Sequence, residues 1–304
     1  MRKNKQIMNN NIDDIKLFFI TTPIRSKNDS YNKEREIIIN NIINNKIADE
    51  YYKKSVEWIT MKNEINLFIK KLCDINKIIT YNNVNCVHKA GRNNHYDFKL
   101  IIDKYHEFYI EFKFNTMSIN NIPQFVSPMH PSQYLEKSYE EYYYDNYFTE
   151  IVKEYELPLP DKNEYLKQIH STAPKCLIKH QLKYYNGCKN SSKYTGNEND
   201  ISFYEKMKEI SNKSINNFIF NNGLKINELT EYLLQTQQGK YYMLYKDNKI
   251  YLETINQDDY IIIDYIKEPK LNKYIAITKT NKRLNILLRW KNGNGIAFPA
   301  FQIS

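Results

Sequence analysis

The run from His95 to Asn115, HYDFKLIIDKYHEFYIEFKFN, constrains the fold of this chain more than any other stretch. Tyr96, Phe98, Leu100 and Ile102 alternate with Asp97, Lys99 and Ile101. Further on, Phe108, Ile110, Phe112 and Phe114 alternate with Tyr109, Glu111 and Lys113. Strict alternation of this kind predicts two β-strands with one face on an apolar core. The polar link Asp103-Lys104-Tyr105-His106-Glu107 suits a three- or five-residue hairpin loop.

Placing Ile102 opposite Phe108 puts Asp97 opposite Lys113 and Lys99 opposite Glu111. Because side chains alternate between faces, Asp97, Glu111 and Lys113 then share one side and the phenylalanines the other. Two carboxylates and an ammonium gathered at one end of a sheet form a chemically specific arrangement. An acid-x-Lys triplet alone carries little weight in so charged a chain. It recurs at Asp14-Ile15-Lys16, Asp97-Phe98-Lys99, Asp247-Asn248-Lys249 and Glu268-Pro269-Lys270. Only Glu111-Phe112-Lys113 lies in an aromatic-alternating strand with a second acid on the strand before it. The structural alternative is a solvated hairpin face with a cross-strand Asp97–Lys113 ion pair.

On Asp97 and Glu111-Phe112-Lys113, the segment from Lys33 to Gln124 resembles the PD-(D/E)XK nuclease superfamily, the fold of many restriction enzymes and DNA-repair nucleases. Tyr96 stands where that family usually has a proline. The resemblance implies an α/β fold with a restriction-endonuclease-like core, a mixed central sheet flanked by helices. It implies Mg²⁺, with Mn²⁺ as a substitute, held by Asp97, Glu111 and the backbone carbonyl of Phe112. Magnesium prefers oxygen ligands and keeps several waters, so this donor set is sufficient. Lys113 would then orient the attacking water, or help deprotonate it if the site depresses its pKa. The family's helix before the sheet can lend a further acid, for which Glu64 and Glu57 are the candidates. Either also reads as a solvated helix-face residue. Gln124 matches a polar supporting residue after the catalytic strand, and equally reads as a loop hydrogen-bonder.

A net charge of +9 favours a polyanionic partner. The abundance of Ile, Asn, Lys and Tyr, all with A/T-rich codons, discounts that lysine excess. Lys89 and Arg92, in the linker before Asp97, are candidates for contacts to the phosphates of nucleic acid. So are Arg289 and Lys291 near the C-terminal end, where Trp290 serves either such a surface or the core. Cys73, Cys86, Cys176 and Cys188 are scattered without a CxxC pair, which argues against structural zinc and for free thiols in a reducing compartment. The first residues lack an apolar signal region and no run is long enough to span a bilayer. The expectation is a soluble intracellular protein, cytoplasmic or nuclear, cellular or viral.

Residues 1–32 read as a polar arm with one apolar patch, Ile15 to Ile24. Residues 33–135 read as the nuclease core: a helical block to Leu72, a strand over Lys77 to Val87, and the hairpin 95–115. Pro123, Pro128 and Pro131 exclude one regular helix after it. Residues 136–238 read as a helical region with a flexible break at 189–200, and no histidine pair in it has convincing ligand spacing. Residues 239–304 read as β-rich, with a hairpin turning at Lys246 to Lys249 and a tight turn at Asn292 to Gly295; they either complete the core sheet or stand apart. The functional expectation is a Mg²⁺-dependent DNA endonuclease, with RNA as substrate and a homodimer left open. The alternative is a non-catalytic nucleic-acid-binding protein on a nuclease-like fold.

Overall fold

The computed structural model describes residues 11–20, 27–89, 94–121, 130–154, 156, 159–170, 198–290 and 298–304. The chain divides into two compact units. One comprises residues 1–120 and 236–255, the other 121–235 and 256–304.

In the first unit a short 3-10 segment, Ile12–Phe18, is opened by a capping box in which Asn11 and Asp14 satisfy each other's backbone donors. Its Ile15 and Phe18 are buried in the core, which anchors this stretch to the fold. Arg35 explains why it stays. That side chain is 2% exposed. Its Nε and Nη2 donate to the Leu17 carbonyl at 3.0 and 2.7 Å, and its guanidinium lies 3.5 Å from the Phe114 ring centre. Three helices follow, α1 (Asn28–Ile43), α2 (Asp49–Lys54) and α3 (Val56–Ile75). Helix α3 starts at the Ser55 cap, whose Oγ accepts from the Trp58 N–H. Trp58, Met61, Ile65, Phe68, Ile69 and Leu72, at three- and four-residue spacing, form its buried stripe.

The sheet of this unit has five strands in sequential order: β1 (Val84–His88), β2 (Phe98–Ile102), β3 (His106–Phe114), β4 (Lys240–Lys246) and β5 (Lys249–Thr254). Strands β3 and β4 are parallel and the other pairs antiparallel. This is the mixed sheet expected of an α/β fold. Phe98, Leu100, Ile102, Phe108, Ile110, Phe112, Met243, Tyr245 and Ile250 join the helix stripes in one buried cluster. The first strand is shorter than the sequence suggested, because residues 79–83 run without strand pairing before Val84.

The hairpin register differs from the expected one by two residues: Ile102 pairs with His106 and Phe98 with Ile110. The loop is three residues long because Asp103 and Lys104 both adopt left-handed backbone, φ 48° and 65°, which turns the chain as tightly as a primed turn does. The Asp103 carboxylate fixes it by accepting from the N–H groups of Asn82 and Asn83. Lys99 consequently pairs with Glu107, at 2.6 Å, and not with Glu111. An even shift preserves the faces, so Tyr109, Glu111 and Lys113 still share one side.

In the second unit, α4 (Tyr139–Tyr143) continues through one π-helical turn into α5 (Thr149–Glu154), followed by α6 (Lys162–Gln168), α7 (Glu198–Asn221) and most of α8 (Ile226–Gln237). Its antiparallel sheet is β6 (Ile262–Glu268), β7 (Lys273–Thr278), β8 (Arg283–Trp290) and β9 (Pro299–Ile303). The C-terminal β-rich region is therefore divided: its first hairpin completes the core sheet and the remaining strands form a second sheet. Trp290 fills that unit's core, 3% exposed, with Nε1 donating to the Tyr139 hydroxyl. Among the described residues, no helix is long and apolar enough to cross a membrane. The expected break at 189–200 and turn at Asn292 to Gly295 lie outside the described residues.

Candidate active site

The candidate site lies at the end of the five-stranded sheet where β1 finishes and β2 begins. Asp97 sits in a bend immediately before β2 and not within the strand. Its main chain is tied on both sides: the Lys89 N–H donates to its carbonyl at 2.7 Å, and its own N–H donates to the Ile110 carbonyl at 3.0 Å. Its carboxylate accepts from the Phe112 N–H at 2.9 Å. Tyr96, in the place of the expected proline, stacks on Tyr109 with ring centres 4.5 Å apart. Backbone bonds and ring packing thus fix the bend without a proline.

Glu111 projects from the middle of β3, with 13% of its side chain exposed. One of its oxygens holds the Lys113 ammonium at 2.5 Å. The other holds the ammonium of Lys240, whose side chain is only 4% exposed. Lys240 opens β4 directly after Gly239, whose φ of +64° is a conformation that glycine adopts without strain. The Asp97–Lys113 ion pair of the structural alternative does not form, because the register displaces the two residues and Lys113 turns to Glu111.

A third carboxylate reaches the site from α1. Glu36 is 8% exposed, and its Oε2 meets the His88 Nε2 at 2.8 Å. Its charge acts on both Asp97 and Lys113. Glu64, one of the two helix acids singled out from the sequence, is used elsewhere: it accepts from the Ile250 N–H at 2.9 Å and so closes the start of β5. Glu57, the other, accepts from the Ser55 hydroxyl at the start of α3. A signal for Glu36 was present, since it lies three and seven residues before the buried Ile39 and Ile43, on the apolar stripe of its helix. An acid on such a stripe needs a polar reason to be there.

Charge in this group is unevenly compensated. Burial, then Glu111, then Glu36 push the Asp97 carboxyl up to about 7. Glu111 goes the other way: burial pushes it up, but Lys113 and Lys240 outweigh that and hold it below the usual carboxylate range. Lys113 is pulled down by burial and raised more strongly by Glu111, Asp97 and Glu36, so it stays an ammonium. The shift runs opposite to the depression that a basic Lys113 would need. Lys240 is the lysine whose pKa is lowered, by burial first, with Glu111 opposing.

Magnesium fits this donor set in kind. Asp97 and Glu111 are hard oxygen ligands, and the raised Asp97 pKa marks negative charge that a cation would relieve. An extended residue directs its N–H and C=O to the same strand edge, so the Phe112 carbonyl faces the side from which Asp97 binds its N–H. Among the described residues, no group of three or more His, Cys, Asp or Glu side chains could hold a metal ion. A cation here would therefore rest on two carboxylates and one carbonyl, completed by water and phosphate oxygens.

The other expected residues are not all gathered. Lys89 is exposed and adjacent to Asp97 through the main-chain bond above. Arg289 belongs to the second unit, is partly buried, and has its Nε unpartnered. Arg92, Lys291 and Gln124 lie outside the described residues. Cys73 and Cys86 are buried free thiols, while Cys176 and Cys188 lie outside the described residues.

No protein-family model, curated protein or solved structure matches this chain.

Proposed function

We propose that this chain is a metal-dependent nuclease of the restriction-endonuclease-like type, hydrolysing phosphodiester bonds of DNA inside the cell. One observation carries the reading: Asp97, Glu111 and Lys113 converge at one sheet end, with the Asp97 carboxylate bonded to the Phe112 N–H between the other two. Asp97, Glu111 and the Phe112 carbonyl would hold Mg²⁺, with Mn²⁺ as a substitute. When bound, the ion supplies Lewis acidity to the scissile phosphate and a water of lowered pKa. Lys113 then stabilises negative charge developing on the phosphate and orients the attacking water. Glu36 raises the negative field on Asp97 and Lys113 and, through His88, holds the middle of α1 to the end of β1. Lys89, beside Asp97 on the main chain, would contact the backbone of the bound strand.

The test is plasmid cleavage by wild type, Asp97→Ala and Lys113→Ala, with and without Mg²⁺. Metal-dependent cleavage by the wild type alone supports the reading. Equal nicking by all three means a contaminant and removes it.

A second reading, a non-catalytic nucleic-acid-binding protein on the same fold, is favoured by one observation. Both Glu111 oxygens already hold ammonium groups, so its charge is balanced without a metal. Salt-dependent gel shifts without metal-dependent cleavage would select it.

A further inference from the structure

Lys240 takes no part in the chemistry above, yet only 4% of its side chain is exposed. Its ammonium contacts one Glu111 oxygen while Lys113 contacts the other, so a divalent cation approaching either oxygen meets the positive charge of an ammonium already there. The two lysines are not equivalent. Lys113 is the more exposed, at 23% against 4% for Lys240, and is the one that the reading above assigns to the phosphate. Lys240 has a second support: its ammonium lies 5.4 Å from the Tyr242 ring centre. Lys240 and Tyr242 are two residues apart on β4 and share one face, and Tyr242 is the register partner of Glu111. The π-face of Tyr242 can therefore keep the ammonium partly compensated once Glu111 is withdrawn.

We propose that Lys240 is a built-in counter-ion for the metal-free site. Its ammonium holds Glu111 until Mg²⁺ arrives, is released from that carboxylate on metal entry, and remains over Tyr242. Lys240 thereby sets the metal affinity as a positioning residue, acting through Glu111. This inference rests on the reading of Asp97 and Glu111 as metal ligands.

The test is calorimetric titration of the full chain with MgCl₂, for wild type, Lys240→Met, Lys240→Gln and Asp97→Asn. Removing the competing ammonium is expected to tighten Mg²⁺ binding about tenfold or more, the size of effect one adjacent charge has on a carboxylate's ionic equilibria. Asp97→Asn is expected to abolish binding. In wild type carrying ¹⁵N-lysine, the Lys240 ammonium resonance is expected to move on Mg²⁺ addition; this readout needs no folded variant. Asp97-dependent Mg²⁺ binding without tightening in either Lys240 variant, or with an unmoved Lys240 resonance, overturns the proposal and leaves the metal-site reading standing. Absence of Asp97-dependent binding in every chain overturns both.

Discussion

The Asp97 carboxylate accepts a 2.9 Å hydrogen bond from the Phe112 N–H. That contact joins the bend before β2 to the centre of β3. It places one acid beside the flank of another, since Glu111 is the residue preceding Phe112. The cost of this proximity falls on Asp97, because the two nearby lysines bond Glu111 instead.

The pH dependence of stability follows from that imbalance. Asp97 has its folded-state pKa raised from 3.8 to about 7, so between these values the folded chain holds a proton that the unfolded chain has released. Stability contributed by this group is full below about pH 4 and is lost as pH rises through about 7. In EDTA, Asp97→Asn is expected to be more stable than wild type at pH 8, by about 2 kcal/mol. The two chains should converge near pH 4. Urea unfolding across that range checks it; a wild type more stable than the variant at pH 8 contradicts it.

Glu36 and Glu64 separate a site acid from a structural one. Glu36→Gln removes negative charge that acts on Asp97 and is expected to weaken Mg²⁺ binding by roughly three- to tenfold. Glu64→Ala is expected to leave binding unchanged while costing about 1 kcal/mol through the unpaired Ile250 N–H. Titration calorimetry together with urea midpoints reads both. Weakened binding in the Glu64 variant with none in the Glu36 variant would reverse the assignment.

Arg35 is expected to matter for stability and not for chemistry. Arg35→Met keeps much of the packing volume but leaves the Leu17 carbonyl without its two donors. A loss of about 2 kcal/mol is expected, with Mg²⁺ affinity unchanged. A variant as stable as wild type would show that the Ile12–Phe18 segment is held mainly by Ile15 and Phe18.

The hairpin of β2 and β3 was legible because alternation is local: Phe98 to Ile102 and Phe108 to Phe112 announce their own inner face. The register was not, because it depended on Asp103 and Lys104 both taking left-handed backbone, which neither residue type announces. An even slip left Asp97, Glu111 and Lys113 near one another, so the site survived the error. Glu36 and Lys240 could not be placed with confidence from sequence for a different reason. They reach Asp97 and Glu111 from about 60 and 130 residues away along the chain, and only packing of α1 and the parallel pairing of β3 with β4 brings them in. The division of the C-terminal strands also depended on long-range pairing: Lys240–Lys246 joins the core sheet beside β3, and Ile262–Glu268 pairs with β7 in the second sheet.

Lys113, beside Asp97 and Glu111, is proposed to act on a phosphodiester. The most direct test is the initial rate of DNA cleavage at saturating Mg²⁺ by wild type and by Lys113→Met, with DNA binding measured in parallel by gel shift. A loss of roughly a hundredfold or more in rate is expected, with DNA affinity changed only a few-fold. Equal rates for the two proteins, or no Mg²⁺-dependent cleavage by the wild type on DNA that it binds, would contradict it.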